Sequence, residues 1–233
     1  SINTDKIGME YPMICFNGGR CEKDGTYSRQ TKYATIGVII HEVGHNYFPM
    51  IVNNDERQWT WMDEGLNTFL QYLAEVQWEP NYPTRRGPAN LIVPYMKLDE
   101  KFLEPIMTNS ESIQQLGSNS YAKVATGLNI LRETVMGREL FDMAFKEYSR
   151  RWAFKQPYPA DFFRTMEEAS GVDLDWFWNG WFYSTDYNDI SMSEVKWMKV
   201  DPKDPTKVAE MKKEQAATAP QNISKTRNME SID

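Results

Sequence analysis

The chain has only two histidines, and both lie in one pentapeptide, His41-Glu42-Val43-Gly44-His45. Residues 33–50 around it are apolar on every side of a helical projection, so they predict a buried helix that Pro49 ends. Four helical steps of roughly 100° leave the two imidazoles about 40° apart, one turn above the other. Both can then reach a single ion at about 2.0–2.1 Å. Glu42 lies one step round, close enough to touch a metal-bound water without ligating the metal. This five-residue pattern also arises by chance on solvated helices, but those carry charges nearby. Here Val38, Ile39 and Ile40 precede it, and Val43, Gly44, Asn46 and Tyr47 are uncharged. The segment reads as a metal-binding helix.

A catalytic zinc needs three protein ligands and an open position. No histidine remains for the third, and Cys15 and Cys21 are too few for a thiolate site. They read as two free thiols rather than as a disulfide. The third ligand is therefore expected to be a carboxylate or an unusual donor. Glu64, in Trp61-Met62-Asp63-Glu64-Gly65, follows His45 after eighteen intervening residues, enough for a helix to end, turn and return antiparallel. Glu75 and Glu79 compete with it on spacing. A carboxylate in the first turn also suits the helix dipole without any metal, a role open to Asp63 as well.

The rest of the chain reads as mainly α. A strand or extended segment is expected over 7–16 and a Gly-rich loop over 17–31. Helices are expected over 61–78, with Thr60 and Asp63 as a capping box, and over 89–101, with a kink at Pro94. Further helices fit 121–136, capped by Gly137, and 138–152, 160–169 and 173–184, with Asp161 and Asp173 as candidate caps. One strand is expected over 190–200, then a polar tail, loosely packed or helical. The organisation is a catalytic domain over 1–188 and the start of a following region over 189–233. The net charge of −7 and the lack of a basic stripe exclude nucleic acid as the main partner. No apolar run approaches the roughly 18 residues that span a bilayer.

The zinc-binding pattern, the eighteen-residue gap and the Trp-Met-Asp-Glu-Gly segment together resemble the aminopeptidase N family of gluzincins, whose motif is typically Trp-Leu-Asn-Glu-Gly. Gly8-Met9-Glu10 resembles part of its Gly-x-Met-Glu-Asn strand. Tyr121-Ala122-Lys123, with Leu128, Leu131 and Arg132, resembles the segment carrying its catalytic tyrosine, and 171–181 resembles the helical end of its catalytic domain. The resemblance implies a thermolysin-like, gluzincin catalytic domain with a small N-terminal β edge, and one zinc held by His41, His45 and Glu64. Glu42 would be the general base and Tyr121 the oxyanion donor. Glu10 would grip the substrate's α-amino group, making peptides the substrates and the chain an aminopeptidase core. Two departures stand out: Tyr11 replaces the family's Asn, and Gly8 sits one position nearer Met9. The region 186–190 is similar to extracytoplasmic bacterial members. Most of the family's sheet and its later domains are not in these 233 residues, so the chain reads as a fragment that binds zinc and hydrolyses peptides poorly alone. A thermolysin-like endopeptidase, another zinc hydrolase and a non-catalytic peptide-binding scaffold are the competing readings. Oligomeric state cannot be read from the sequence.

Overall fold

The computed structural model describes residues 1–4, 8–19, 21–188, 191–198 and 204–219. They fall into two units, 1–188 and 189–233. The first begins with three short strands, β1 (Ile2–Thr4), β2 (Gly8–Tyr11) and β3 (Ile14–Gly18). They form a sheet in the order β1-β3-β2, with β1 parallel and β2 antiparallel to β3. The extended segment expected over 7–16 is thus a tight hairpin, turned at Pro12 and Met13, where Met13 takes φ 68°. Residue 7 lies outside the described residues. In this hairpin Glu10 pairs with Cys15 on an edge strand. The short strand β1 has no counterpart in the sequence reading, because its partner is more than ten residues away.

Helix α1 (Arg29–Gly44) starts earlier and stops sooner than 33–50. Ser28 caps it by accepting from the Thr31 backbone N–H, and the chain turns at His45 rather than running on to Pro49. Its apolar surface is not wholly buried. The sheet and the next helix cover part of it, and Ile39 and Val43 remain exposed. Helix α2 (Thr60–Trp78) keeps the expected span but not the expected cap. The Thr60 hydroxyl instead donates to the Glu56 carbonyl, 2.8 Å away, and pairs with Ser110 Oγ. Helix α3 (Ala89–Met96) ends two residues after Pro94.

Residues expected as one helix over 121–136 form a longer, uneven one. A π-helical stretch, Gly117–Lys123, leads into α4 (Val124–Ile130), and a second, Leu131–Val135, follows. Helices α5 (Arg138–Trp152), α6 (Pro159–Ser170) and α7 (Asp175–Trp178) complete the unit, α7 running on into a π-helical turn, Asn179–Tyr183. Asp161 and Asp173 lie inside or ahead of their helices, not at the capping position. Asp161 accepts from the N–H of Tyr158, and Asp173 from that of Asp175. In the second unit no strand forms over the described residues 191–198, and α8 (Pro205–Thr218) is helical. Among the described residues no helix is long and apolar enough to cross a membrane.

The core that holds α2 in place is aromatic. Trp61, 1% exposed, meets the Phe182 ring edge-on at 5.0 Å and stacks on Phe163 at 5.9 Å. Phe69 packs edge-on against Phe141 and Phe145. Burial of each such ring contributes about 1.5–3 kcal/mol. α2 and the chain leading into α4 approach closely at Gly65, where a Cβ would lie 2.7 Å from the Ser120 carbonyl oxygen and 2.5 Å from Val124. That contact explains the glycine after Glu64.

Arg132 ties α5 to the helix before it, its guanidinium donating to both oxygens of Asp142 at 2.7 and 2.8 Å. The pair holds the Asp142 carboxyl below its ordinary value of 3.8. Its contribution is therefore full above that value and is lost as pH falls through the lower, folded value. Asp142→Asn should lower stability at neutral pH by about 0.5–1 kcal/mol, since the pair is partly exposed. The gap from the parent chain should close in acid; urea melts at several pH values check both.

Candidate metal centre

Three donor atoms converge where α1 meets α2. His41 Nε2 lies 3.0 Å from His45 Nε2 and 3.1 Å from Glu64 Oε2, and His45 Nε2 lies 3.3 Å from the same oxygen. A tetrahedral ion with bonds of about 2.0–2.1 Å has ligand–ligand edges of about 3.3 Å, close to this triangle. Glu75 and Glu79, the rivals on spacing, are engaged elsewhere. Glu75 accepts from Gln71 at 2.7 Å, and Glu79 accepts from the Tyr33 hydroxyl at 2.7 Å.

The groups behind the imidazoles decide which nitrogens face the triangle. His45 Nδ1 is 2.8 Å from the Phe48 carbonyl oxygen, which only accepts, so Nδ1 carries the proton. Asp63 Oδ1 adds negative charge 2.9 Å from the same nitrogen. His41 Nδ1 is 2.9 Å from Gln71 Oε1. Gln71 Nε2 donates to Glu75, which fixes the amide orientation and makes Oε1 an acceptor. Both Nε2 atoms therefore turn lone pairs toward each other and toward a carboxylate. Such a cluster repels itself unless a cation sits within it, and this donor set of two imidazoles and one carboxylate fits zinc.

The electrostatics agree. Burial pushes His45 down, but Asp63 and Glu64 outweigh it and hold the imidazole up at about 11. Burial pushes Glu64 up, yet His41 and His45 bring it down to about 2. Positive charge is favoured at this point, whether a proton or a metal ion supplies it. Asp63, 3% exposed, is pushed up by burial.

Glu42 projects beside the triangle without joining it. Its side chain is buried, and its Oε2 has no hydrogen-bond partner among the described residues. Burial raises its proton affinity, against the pull of His41 and His45. Gly8 of β2 leaves the room it needs, since a Cβ there would run into Glu42 Oε1. Behind α1, the Cys15 thiol donates to the Glu42 carbonyl at 3.1 Å. Cys15 and Cys21 are both free. Glu10 comes in from the edge strand, its Oε2 3.9 Å from His45 Nε2. The Tyr121 ring stacks on His41 with centroids 5.9 Å apart. Burial and then the Glu64 charge raise its hydroxyl pKa strongly, so it remains a neutral donor. All six residues expected from the sequence thus lie around one centre, five of them on the wall of a cleft of about 830 Å³ and His45 beneath it.

Two residues that position the centre, Asn67 and Gln71, went unnoticed in the sequence, and Glu75 was weighed there only as a rival ligand. The three recur every four places along the face of α2 that meets α1. Asn67 Nδ2 donates to the His41 carbonyl at 2.8 Å, and a Cβ at Gly44 would collide with its amide. Polar residues at this spacing on an otherwise apolar helix were the available signal. Arg86 was missed too; its guanidinium carbon lies 4.4 Å from the centre of the Tyr121 ring.

A sequence pattern described as the Peptidase family M1 domain matches residues 7–181. Glutamyl aminopeptidase of Bos taurus is 25% identical over 171 residues, covering 71% of this chain and 18% of that protein. The Homo sapiens enzyme of the same name is 26% identical over 180 residues, covering 75% and 18%. Among solved structures, an M1 zinc metallopeptidase from Deinococcus radiodurans superposes with a TM-score of 0.56 at 15% identity, covering 77% of this chain and 38% of that one. The likeness at that identity is one of fold. The chain spans about a fifth of the length of these curated relatives.

Gln71→Ala should weaken zinc binding about 10- to 100-fold, because it frees the His41 tautomer. Glu64→Ala should lose the metal more completely. Competition with a chromophoric chelator measures both, and unchanged affinity in the Glu64 variant would remove it from the ligand set.

Proposed function

The chain belongs to peptidase family M1, and on that premise we propose that it is the zinc-binding core of an aminopeptidase that removes amino-terminal residues from peptides. One observation carries the reading. Two imidazole lone pairs and the Glu64 carboxylate converge beside a buried, unpartnered Glu42 oxygen, with the Glu10 carboxylate 3.9 Å from the nearer histidine. His41, His45 and Glu64 would hold the zinc. When bound, zinc acidifies a water and polarises a carbonyl.

The chain's own residues do the rest. Glu42 takes the proton from the attacking water at its free oxygen and returns it to the leaving amine, a task that suits a carboxylate of raised proton affinity. Tyr121 keeps its proton and donates a hydrogen bond to the oxyanion of the tetrahedral intermediate. Glu10 sets its charge against the substrate's α-ammonium group, so it favours peptides with a free amino terminus. An extended peptide would add along the free edge of β2, as peptides do at open sheet edges. The Deinococcus radiodurans relative is itself described with a Tyr-Ser-Ala substrate bound.

Zinc-loaded protein, assayed with a free and an N-acetylated form of one peptide, tests the reading. The free peptide should be cleaved and the acetylated one spared; equal rates would point to an endopeptidase. Glu42→Gln should keep the metal and abolish turnover. Tyr121→Phe should keep the metal and lower kcat about 10²- to 10³-fold. Wild-type rates in that variant would remove Tyr121 from the mechanism.

A further inference from the structure

The cleft continues past the metal centre. Its wall also includes the loop that carries Thr84, Arg85 and Arg86. Arg86 is half-buried there, with no acidic side chain at ion-pair distance among the described residues. Glu64 and Glu75 are near enough to feel its charge, but Glu64 faces the two histidines and Glu75 is bonded to Gln71. The guanidinium lies over the face of Tyr121 instead. Gly117 adds no side chain over it; a Cβ there would lie 3.7 Å from Arg86 Nη2. A cation taken partly out of water without a counter-ion costs free energy that a ligand's negative charge would recover.

The order of charges along the cleft gives this cation a meaning. Glu10 stands 3.9 Å from His45, whose neighbour His41 stacks on Tyr121, and Tyr121 in turn lies under Arg86. Negative charge therefore borders the metal centre at His45, and positive charge borders it past Tyr121, next to His41. A short peptide in water has the same polarity, an ammonium at one end and a carboxylate at the other. One extended residue advances the chain by at most about 3.3–3.6 Å. With the scissile carbonyl at the Tyr121 hydroxyl, a group one or two residues further on reaches the guanidinium. Arginine's planar fork accepts a carboxylate through two parallel N–H donors.

We propose that Arg86 binds a carboxylate on the leaving-group side of the cleft, and so selects peptides that carry one within two residues of the scissile bond. The inference rests on the peptidase reading and names its substrate class. The carboxylate is either the free carboxyl terminus of a di- or tripeptide or an Asp or Glu side chain; the chemistry is the same.

The test measures binding rather than turnover. Zinc-loaded Glu42→Gln protein is titrated calorimetrically with Ala-Ala against Ala-Ala amide, and with Ala-Asp amide against Ala-Asn amide. The acid member of at least one pair should bind about 10- to 100-fold tighter than its neutral counterpart. The first pair reports the terminal carboxylate, the second the side chain. Arg86→Gln in the same background should bring that ratio close to one, and Arg86→Lys, which keeps charge but loses the fork, should leave it in between. Should the glutamine variant not fold, as a thermal melt would reveal, the lysine variant decides by the same ratio. Arg164→Gln, exposed and outside the cleft, should keep the ratio. A ratio near one in the parent protein, or one that survives the loss of Arg86, overturns the proposal. Turnover of Ala-Ala amide by protein with Glu42 intact tests the peptidase reading separately; its absence would sink that reading and leave the binding result standing.

Discussion

Two imidazole lone pairs held 3.0 Å apart are the constraint on which the rest of this structure turns. Left alone, each ring would turn a proton toward the other or swing away. The Phe48 carbonyl and the Gln71 amide hold both rings in place, because each takes a proton from the nitrogen behind, so Nε2 of each neutral ring faces the other. Glu64 then adds a third electron-rich atom to the same point. The cluster is tolerable only around positive charge, so the fold selects for a cation at this point.

That constraint explains features that would otherwise look arbitrary. α2 must deliver Glu64, Asn67 and Gln71 to α1 in one register. Its first turn is anchored by Trp61 in the aromatic core, and its close approaches demand glycine at positions 44 and 65. On the far side, the hairpin of β2 and β3 presses Gly8 against Glu42 and sets Cys15 against the Glu42 carbonyl. The Glu42 carboxylate is thus pinned through its backbone and its side chain while one oxygen stays unengaged.

How much of this was legible in the sequence depended on range. His41 and His45 could be placed on one helix face because helical period is local. Glu64 could be offered as a ligand because eighteen residues suffice for a return, yet only the family resemblance chose it over Glu75 and Glu79. Gln71 and Asn67 escaped notice since their partners are 30 and 26 residues away. The capping box at Thr60 failed for the same reason. Its hydroxyl found Ser110, fifty residues on, and a local rule could not foresee that competitor. The buried α1 was overread because an apolar helix calls for cover on all sides, while the described elements supply it on only some.

The central claim is that both histidines present Nε2 to the metal while Nδ1 keeps its proton. Long-range proton–nitrogen NMR on the ¹⁵N-labelled, zinc-loaded chain reads this directly, since each ring nitrogen reports its own state. The account predicts two histidines alike, with Nδ1 protonated and Nε2 shifted by zinc. A histidine that ligates through Nδ1, or one whose spectrum zinc leaves unchanged, would contradict it.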